Sequence, residues 1–320
     1  MTARFSRSIV WLTWARLLLA IAGLAVVIWA CLTAWGAVLH GHPAYVIVLS
    51  VSALGAMLLG WFSQRKIRHI RAGHNSKRIG VWGVIWRILL ILLGVIWIAL
   101  LVWLRPYVAV EPALAAMQSD SAVTVTESPT DIKLRPTNSV DTTGVFFQPG
   151  ALVDARAYAA VLRPLAESGH TVIIAKQPLG IAFLALPAFD NARASNPEVS
   201  RWVVAGHSLG GTVAALESTE KSPPVAGVLF YASYPANDIS GTVAVPVESI
   251  SGTRDGLATP KKVRASKANL STDTVFTTIN GPPTLSSAAT VPSAAITPPP
   301  SATTTPANKS QTPPSDSSAR

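Results

Sequence analysis

The stretch Arg201-Trp-Val-Val-Ala-Gly-His-Ser-Leu-Gly-Gly211 places a serine between two glycines, as Gly206-x-Ser208-x-Gly210. An apolar run precedes the serine and Thr212-Val-Ala-Ala215 follows, which predicts a strand, a sharp turn and a helix. In that context the serine adopts a strained conformation that lifts its hydroxyl clear of the sheet, and a side chain at either glycine would collide with the strand or helix. The pattern predicts a nucleophilic serine. The alternative is a glycine-rich turn with an incidental serine.

Short apolar runs and helical patterns alternate on both sides of this motif. We predict strands at 145–147, 171–174, 202–205, 228–231, 247–250 and 274–279, and helices at 154–168, 211–217 and 260–270. Strands that alternate with helices predict a mostly parallel sheet with helices on both faces. The sequence therefore predicts an α/β domain over residues 106–280.

Two further segments accompany the serine motif. They are Phe147-Gln-Pro149-Gly150-Ala151, after an early strand, and Ser251-Gly-Thr-Arg-Asp255-Gly256, after a late one. With these segments, residues 140–280 resemble the α/β-hydrolase superfamily, in particular its small bacterial members with little or no lid. The resemblance implies an α/β-hydrolase fold acting on an ester-like or other acyl substrate.

The resemblance also implies roles for individual residues. Ser208 would be the nucleophile, and the backbone N–H of Leu209, the residue after it, would be one donor of the oxyanion hole. A second N–H would come from the loop after the 145–147 strand, at Gly150 or Ala151. We predict no cofactor.

The sequence offers a candidate for the acid of a catalytic triad but none for its histidine. Asp255 occupies the place of the acid that orients the base, with Asp238 in reserve, but no histidine follows Asp255 in the sequence. The triad order is serine, acid, histidine. His207 projects from the elbow and is a poor base, and we expect His170 to be structural. The triad histidine is not found, so we expect the domain to be incomplete at its C-terminal end. The alternative to a hydrolase is a non-catalytic binding module at the membrane.

The first third of the chain has a different composition. Three apolar stretches, at about 17–39, 44–62 and 81–104, are each long enough to cross a bilayer as a helix. Nine of the ten tryptophans lie in residues 1–103, several of them near the ends of these stretches. Residues 1–105 therefore predict a three-span anchor with the lipid bilayer as its partner.

Charge predicts the orientation of the anchor. Residues 1–105 hold 11 Lys and Arg and no acid, whereas the remainder holds 15 basic and 16 acidic residues. Nine of these 11 basic residues lie before the first span or between the second and third, at 65–78. The N-terminus should therefore be cytoplasmic and the hydrolase domain outside the cell membrane. Because the net charge of +10 comes from the anchor, it does not indicate nucleic-acid binding.

Two features remain. Residues 281–320 are mostly Pro, Ser, Thr and Ala, which predicts a disordered tail. His40 and His42 would lie on the opposite side of the membrane from His69 and His74, so we predict no metal site.

Overall fold

The computed structural model describes residues 2–72, 80–138, 140–220 and 223–280. The predicted tail at 281–320 and part of the basic loop, residues 73–79, lie outside the described residues. Three long helices come first: α1 (Thr2–His40), α2 (Ala44–Arg71) and α3 (Val81–Trp103). Each is long and apolar enough to cross a membrane. α1 and α2 extend beyond the predicted spans because the helix continues through flanking polar residues.

The three helices pack side by side, with α1 in contact with both others. The end of α1, the start of α2 and the end of α3 all lie on the side of the second domain. Arg105, two residues after α3, donates through Nε to Thr33 Oγ1 of α1 at 2.8 Å. The arrangement thus brings the short 41–43 loop and the entry to the second domain to the same side.

The second domain is built on one eight-stranded sheet of order β1-β2-β4-β3-β5-β6-β7-β8. β2 is antiparallel to both of its neighbours, and every pair from β4 to β8 is parallel, which confirms the predicted sheet. The strands are β1 (Val123–Glu127), β2 (Asp131–Pro136), β3 (Thr143–Gln148), β4 (Thr171–Ala175), β5 (Arg201–His207), β6 (Gly227–Tyr231), β7 (Val247–Gly252) and β8 (Val275–Ile279).

Helices cover both faces of the sheet, as predicted. On one face, a 3-10 turn at Ala155–Tyr158 and helix α4 (Ala159–Glu167) pack on Val145, Phe147 and Ala205. On the other face, α5 (Ala188–Ala194) and α6 (Leu209–Glu220) pack on Phe146, Val204 and Phe230. A last helix, α7 (Pro260–Ala265), lies between β7 and β8 in the chain. Alternate residues of β3 to β8 therefore serve two separate cores, which fixes strand register.

The sequence patterns missed β1, β2 and α5. β1 and β2 read Val-Thr-Val-Thr-Glu and Asp-Ile-Lys-Leu-Arg-Pro, and their alternate residues are exposed. They are antiparallel strands at the edge of the sheet, so they lack the continuous apolar run that marks a strand buried on both faces.

Candidate active site

Ser208 lies at the turn between the end of β5 and the start of α6, in the left-handed region with φ of 50°. Its backbone N–H donates to Tyr231 O of β6 at 3.0 Å, and its carbonyl accepts from Gly211 N at 3.0 Å and from Ser233 Oγ at 2.6 Å. A non-glycine residue in this region costs energy and persists only where the surroundings hold it. The hydrogen bonds to its neighbours hold Ser208 in the strained conformation expected of a nucleophile elbow.

The glycines beside Ser208 are required by close backbone contacts. A Cβ at Gly206 would overlap the backbone of Gly210, and a Cβ at Gly210 would overlap the carbonyl oxygens of Gln148 and Pro149. The strand, the helix and the loop after β3 meet here with no space for a methyl group. The crowding expected from the sequence is thus present on both sides of the serine.

A buried polar chain lies behind the elbow. Gln148 Nε2 donates to Glu217 Oε1 of α6 at 2.8 Å, and Gln177 Nε2 donates to Gln148 Oε1 at 3.0 Å and to Pro149 O at 2.9 Å. Gln148, Gln177 and Glu217 are all buried. These bonds tie the ends of β3 and β4 to the helix that follows the nucleophile, and so help to hold the predicted oxyanion loop. No local sequence pattern indicates these hydrogen bonds, because they join residues that are 29 and 69 positions apart.

His207 is held away from the role of a base. Its Nδ1 lies 2.9 Å from Tyr158 Oη, and the imidazole packs so closely over Gly150 that a Cβ there would collide with it. Burial lowers the pKa of His207 to about 4, although the Asp255 carboxylate acts in the opposite direction. The imidazole is therefore neutral near pH 7 and a weak proton acceptor. Tyr158 is a site residue that sequence reasoning missed, since nothing local links it to the elbow.

The candidate oxyanion donors differ in their backbone bonds. Gly150 N–H donates to Tyr158 Oη at 2.9 Å, so it is already engaged. Leu209 is the first residue of α6, and the first N–H groups of a helix have no partner within the helix. Ala151 lies in the turn directly after Gly150, ahead of Leu152, which has φ of 60°. Of the three candidate donors, Gly150 is thus the one whose N–H is engaged by Tyr158.

Asp255 follows β7 at the same carboxyl edge of the sheet as Ser208. It is buried, and its Oδ1 accepts from Leu257 N at 2.8 Å and from Ala258 N at 2.9 Å. Asp238, the reserve candidate, is exposed and accepts from Ser240 through both its backbone N–H and its hydroxyl. Burial and the influence on His207 favour Asp255 over Asp238 as the acid of the site.

His170 lies at the opposite edge of the sheet. It precedes the first residue of β4, and its Nδ1 lies 3.2 Å from Thr143 O at the start of β3. Ser208 follows the last residue of β5, so a strand of at least five residues, roughly 16 Å, separates the two side chains along the sheet. His170 cannot reach the serine, in keeping with its expected structural role.

Comparison with known proteins agrees with the fold. Residues 144–284 match the model of the alpha/beta hydrolase family. No curated protein sequence matches the chain.

Solved structures similar to this chain include three hydrolases. A CIB-like hydrolase from Thermoplasma acidophilum is 12% identical over 50% of this chain and 88% of its own, with a TM-score of 0.43. A thermophilic esterase from Thermogutta terrifontis is 11% identical, and the match covers 51% of this chain and 90% of the esterase, with a TM-score of 0.41. A monoacylglycerol lipase from Paleococcus ferrophilus is 12% identical, and the match covers 49% of this chain and 89% of the lipase, also with a TM-score of 0.41. The family assignment rests on the match of residues 144–284 to the alpha/beta hydrolase family model, and three long apolar helices precede this match in the chain.

Proposed function

We propose that this protein is a membrane-anchored serine hydrolase that acts on an ester-like or other acyl substrate. The observation that carries the proposal is the positive φ of Ser208 at the β5–α6 turn. Such strain is maintained where a hydroxyl must stand clear of the sheet to meet a substrate. Ser208 is the nucleophile, Leu209 and Ala151 are the oxyanion donors, and Asp255 is the acid.

The reaction begins when Ser208 Oγ attacks the acyl carbonyl carbon and the carbonyl oxygen becomes an oxyanion. Backbone N–H groups stabilise that charge, and removal of one such donor costs roughly 10²–10³ in rate in well-studied enzymes. The bond from carbonyl carbon to the leaving oxygen then breaks. The serine proton leaves to water or to the leaving group, because His207 is engaged by Tyr158 and no histidine follows it in the sequence. Both acylation and hydrolysis of the acyl-enzyme are slow without a general base.

A second candidate is a non-catalytic binding module that retains the elbow. The same commitment of His207 to Tyr158 favours it, because an elbow without a base can hold a carbonyl in its oxyanion hole without cleaving the ester. The two candidates differ in whether a covalent bond forms to Ser208.

An activated acyl ester distinguishes them. The full chain, purified in detergent, is incubated with a p-nitrophenyl ester and its intact mass is measured, with Ser208→Ala as the control. The hydrolase proposal expects one acyl adduct that accumulates on Ser208 and is absent from the control. Ester binding at equal strength to both proteins, with no adduct on either, would establish the binding module instead.

We also propose that the hydrolase domain lies outside the cytoplasmic membrane and the N-terminus inside. The positive-inside rule supports this, since Arg65, Lys66, Arg68 and Arg71 lie at the end of α2 away from the hydrolase domain. Protease added to intact cells should digest residues 106–280 and spare the 65–78 segment. Protection of the hydrolase domain would reverse the orientation.

A further inference from the structure

The membrane helices end close to the edge of the sheet that carries Ser208. The apolar residues of α3 end at Trp103 and Leu104, and the first basic residue after them is Arg105. Its guanidinium lies 5.2 Å from the ring centroid of Trp29 and donates to the backbone oxygen of Thr33 at 2.9 Å. A basic residue that directly follows an apolar span is typical of the bilayer surface.

The predicted oxyanion loop is joined to the chain just after this point. Tyr107 N–H donates to Leu152 O at 2.7 Å, and Asp154 N–H donates to Tyr107 O at 2.9 Å. Tyr107 is two residues after Arg105, which limits their separation to about 7 Å. Leu152, which directly follows Ala151 in the predicted oxyanion loop, therefore lies within roughly 10 Å of Arg105.

The loop after β4 reaches the helices directly. Leu179 packs on a cluster that includes Val38, Tyr45 and Leu101 of the three helices. Its neighbour Gly180 accepts through its carbonyl from Leu152 N at 2.8 Å. The loops that leave the carboxyl ends of β3 and β4 are thus joined to each other and to the ends of the helices.

A side-chain contact between His40 and Glu127 joins α1 to the neighbouring strand end. Glu127, the last residue of β1, lies 3.0 Å from His40 Nδ1 through Oε2 and 2.8 Å from Lys176 Nζ through Oε1. Since β1 and β4 run in the same direction, Glu127 and Lys176 belong to the same edge of the sheet. The carboxyl ends of β1, β3 and β4, or the loops that follow them, therefore lie next to the membrane helices.

Large apolar side chains are exposed next to this contact. Phe183, Leu184 and Leu186 follow Leu179 within seven residues and are 44%, 53% and 42% exposed. Leu184 also lines a cavity of about 250 Å³ together with His42, from the loop between α1 and α2. We name these three residues the juxtamembrane patch. Three adjacent apolar side chains in water are costly, whereas at the surface of a bilayer they are stabilised.

We propose that the juxtamembrane patch inserts into the phospholipid bilayer and that the elbow takes its acyl substrate from the membrane, so that the substrate class is a lipid or other long-chain amphiphile. The inference rests on the proposed function for its substrate. The contact of the patch with lipid stands on the geometry alone. A lipid that rises partly out of the bilayer beside the patch presents its ester at the level of the oxyanion loop.

The geometric part is tested by fluorescence quenching in the full chain. Cys31→Ala removes the native thiol, and Leu184→Cys or Val140→Cys introduces one label site for bimane. Val140 is a matched control because it is 49% exposed but precedes β3, at the opposite edge of the sheet. In vesicles of dibrominated phosphatidylcholine, bimane at position 184 should lose at least half of its emission and bimane at position 140 should lose almost none. Equal emission from both positions would overturn the proposal.

The substrate part is tested with two fluorophosphonates. One has a long alkyl chain and is dissolved in the vesicles, and the other is short and soluble. The proposal expects Ser208 to be labelled at least tenfold faster by the lipid-borne reagent, and faster labelling by the soluble reagent would overturn the assigned substrate class. Labelling by neither, with quenching intact at position 184, would refute the proposed function while the membrane contact stands.

Discussion

The middle of the sheet, at β5, and its edge, at β7 and β8, supply different kinds of chemistry. At β5, the position of the nucleophile is set by backbone: a strained Ser208, two glycines without space for a methyl group, and hydrogen bonds to β6. At β7 and β8, the chemistry would depend on side chains, and Asp255 accepts hydrogen bonds from its own turn while no histidine follows in the sequence. The elbow is therefore set by local backbone contacts, whereas the acid and base of such a site depend on side chains carried by other loops.

The largest effect should come from breaking the elbow. Gly210→Val forces a side chain into the carbonyl oxygens of Gln148 and Pro149, which are backbone atoms and cannot rotate away. We expect the free energy of unfolding to fall by about 3 kcal/mol or more, seen as a lower melting temperature in detergent. Gly241→Ala is the control, because a Cβ there meets nothing within 4 Å. Equal melting of the two variants would show that the elbow is not tightly packed.

A substitution directly after β8 can test whether a histidine placed there acts as the base for Ser208. Asn280 directly follows β8, and its Oδ1 accepts from Thr253 Oγ1 at 3.1 Å, two residues before Asp255. Asn280→His should raise the rate of Ser208 labelling by a fluorophosphonate by about 10², the lower end of the contribution of a general base. Asn280→Gln is the control of similar size. An unchanged rate would show that a base at this position does not reach the serine.

The sequence predicted the features that have local signals and missed those that join distant residues. Six strands and the turn at Ser208 were predictable because apolar runs and glycines are local signals. The contact of His207 with Tyr158 and the chain from Gln177 through Gln148 to Glu217 were not, since each joins residues 29 to 69 positions apart. β1 and β2 were missed for a different reason. They are antiparallel strands with alternate side chains at least partly exposed, so they lack the continuous apolar run of a strand that is buried on both faces.

The free energy of unfolding should fall at acidic pH because of the His207 imidazole at the elbow. Burial lowers the pKa of His207 to about 4 in the folded state, whereas the unfolded value is 6.5. The unfolded chain therefore binds an extra proton between these values, and stability falls as the pH drops through them. From pH 7.5 to pH 5 the loss should be about 2 kcal/mol. The melting temperature measured across this range should depend less on pH in His207→Gln, and an unchanged dependence would contradict a buried neutral imidazole.

A smaller effect should follow loss of the Tyr158 hydroxyl. Tyr158→Phe leaves Gly150 N–H and His207 Nδ1 without their buried partner, for a loss of about 1.5 kcal/mol in the free energy of unfolding. Tyr107→Phe is the control, since that residue is exposed and contributes its backbone to the oxyanion loop. If both variants melt like the parent chain, the hydroxyl does not hold the loop.

The rate at which Ser208 reacts shows whether a histidine of the described residues activates the elbow; we expect that none does. The full chain is treated with an excess of fluorophosphonate, with and without added imidazole as an external base, and Ser208→Ala gives the background. We expect slow labelling that depends on Ser208 and is accelerated at least tenfold by imidazole. Rapid labelling of Ser208 that does not respond to imidazole would contradict the account, because the chain would then supply its own base.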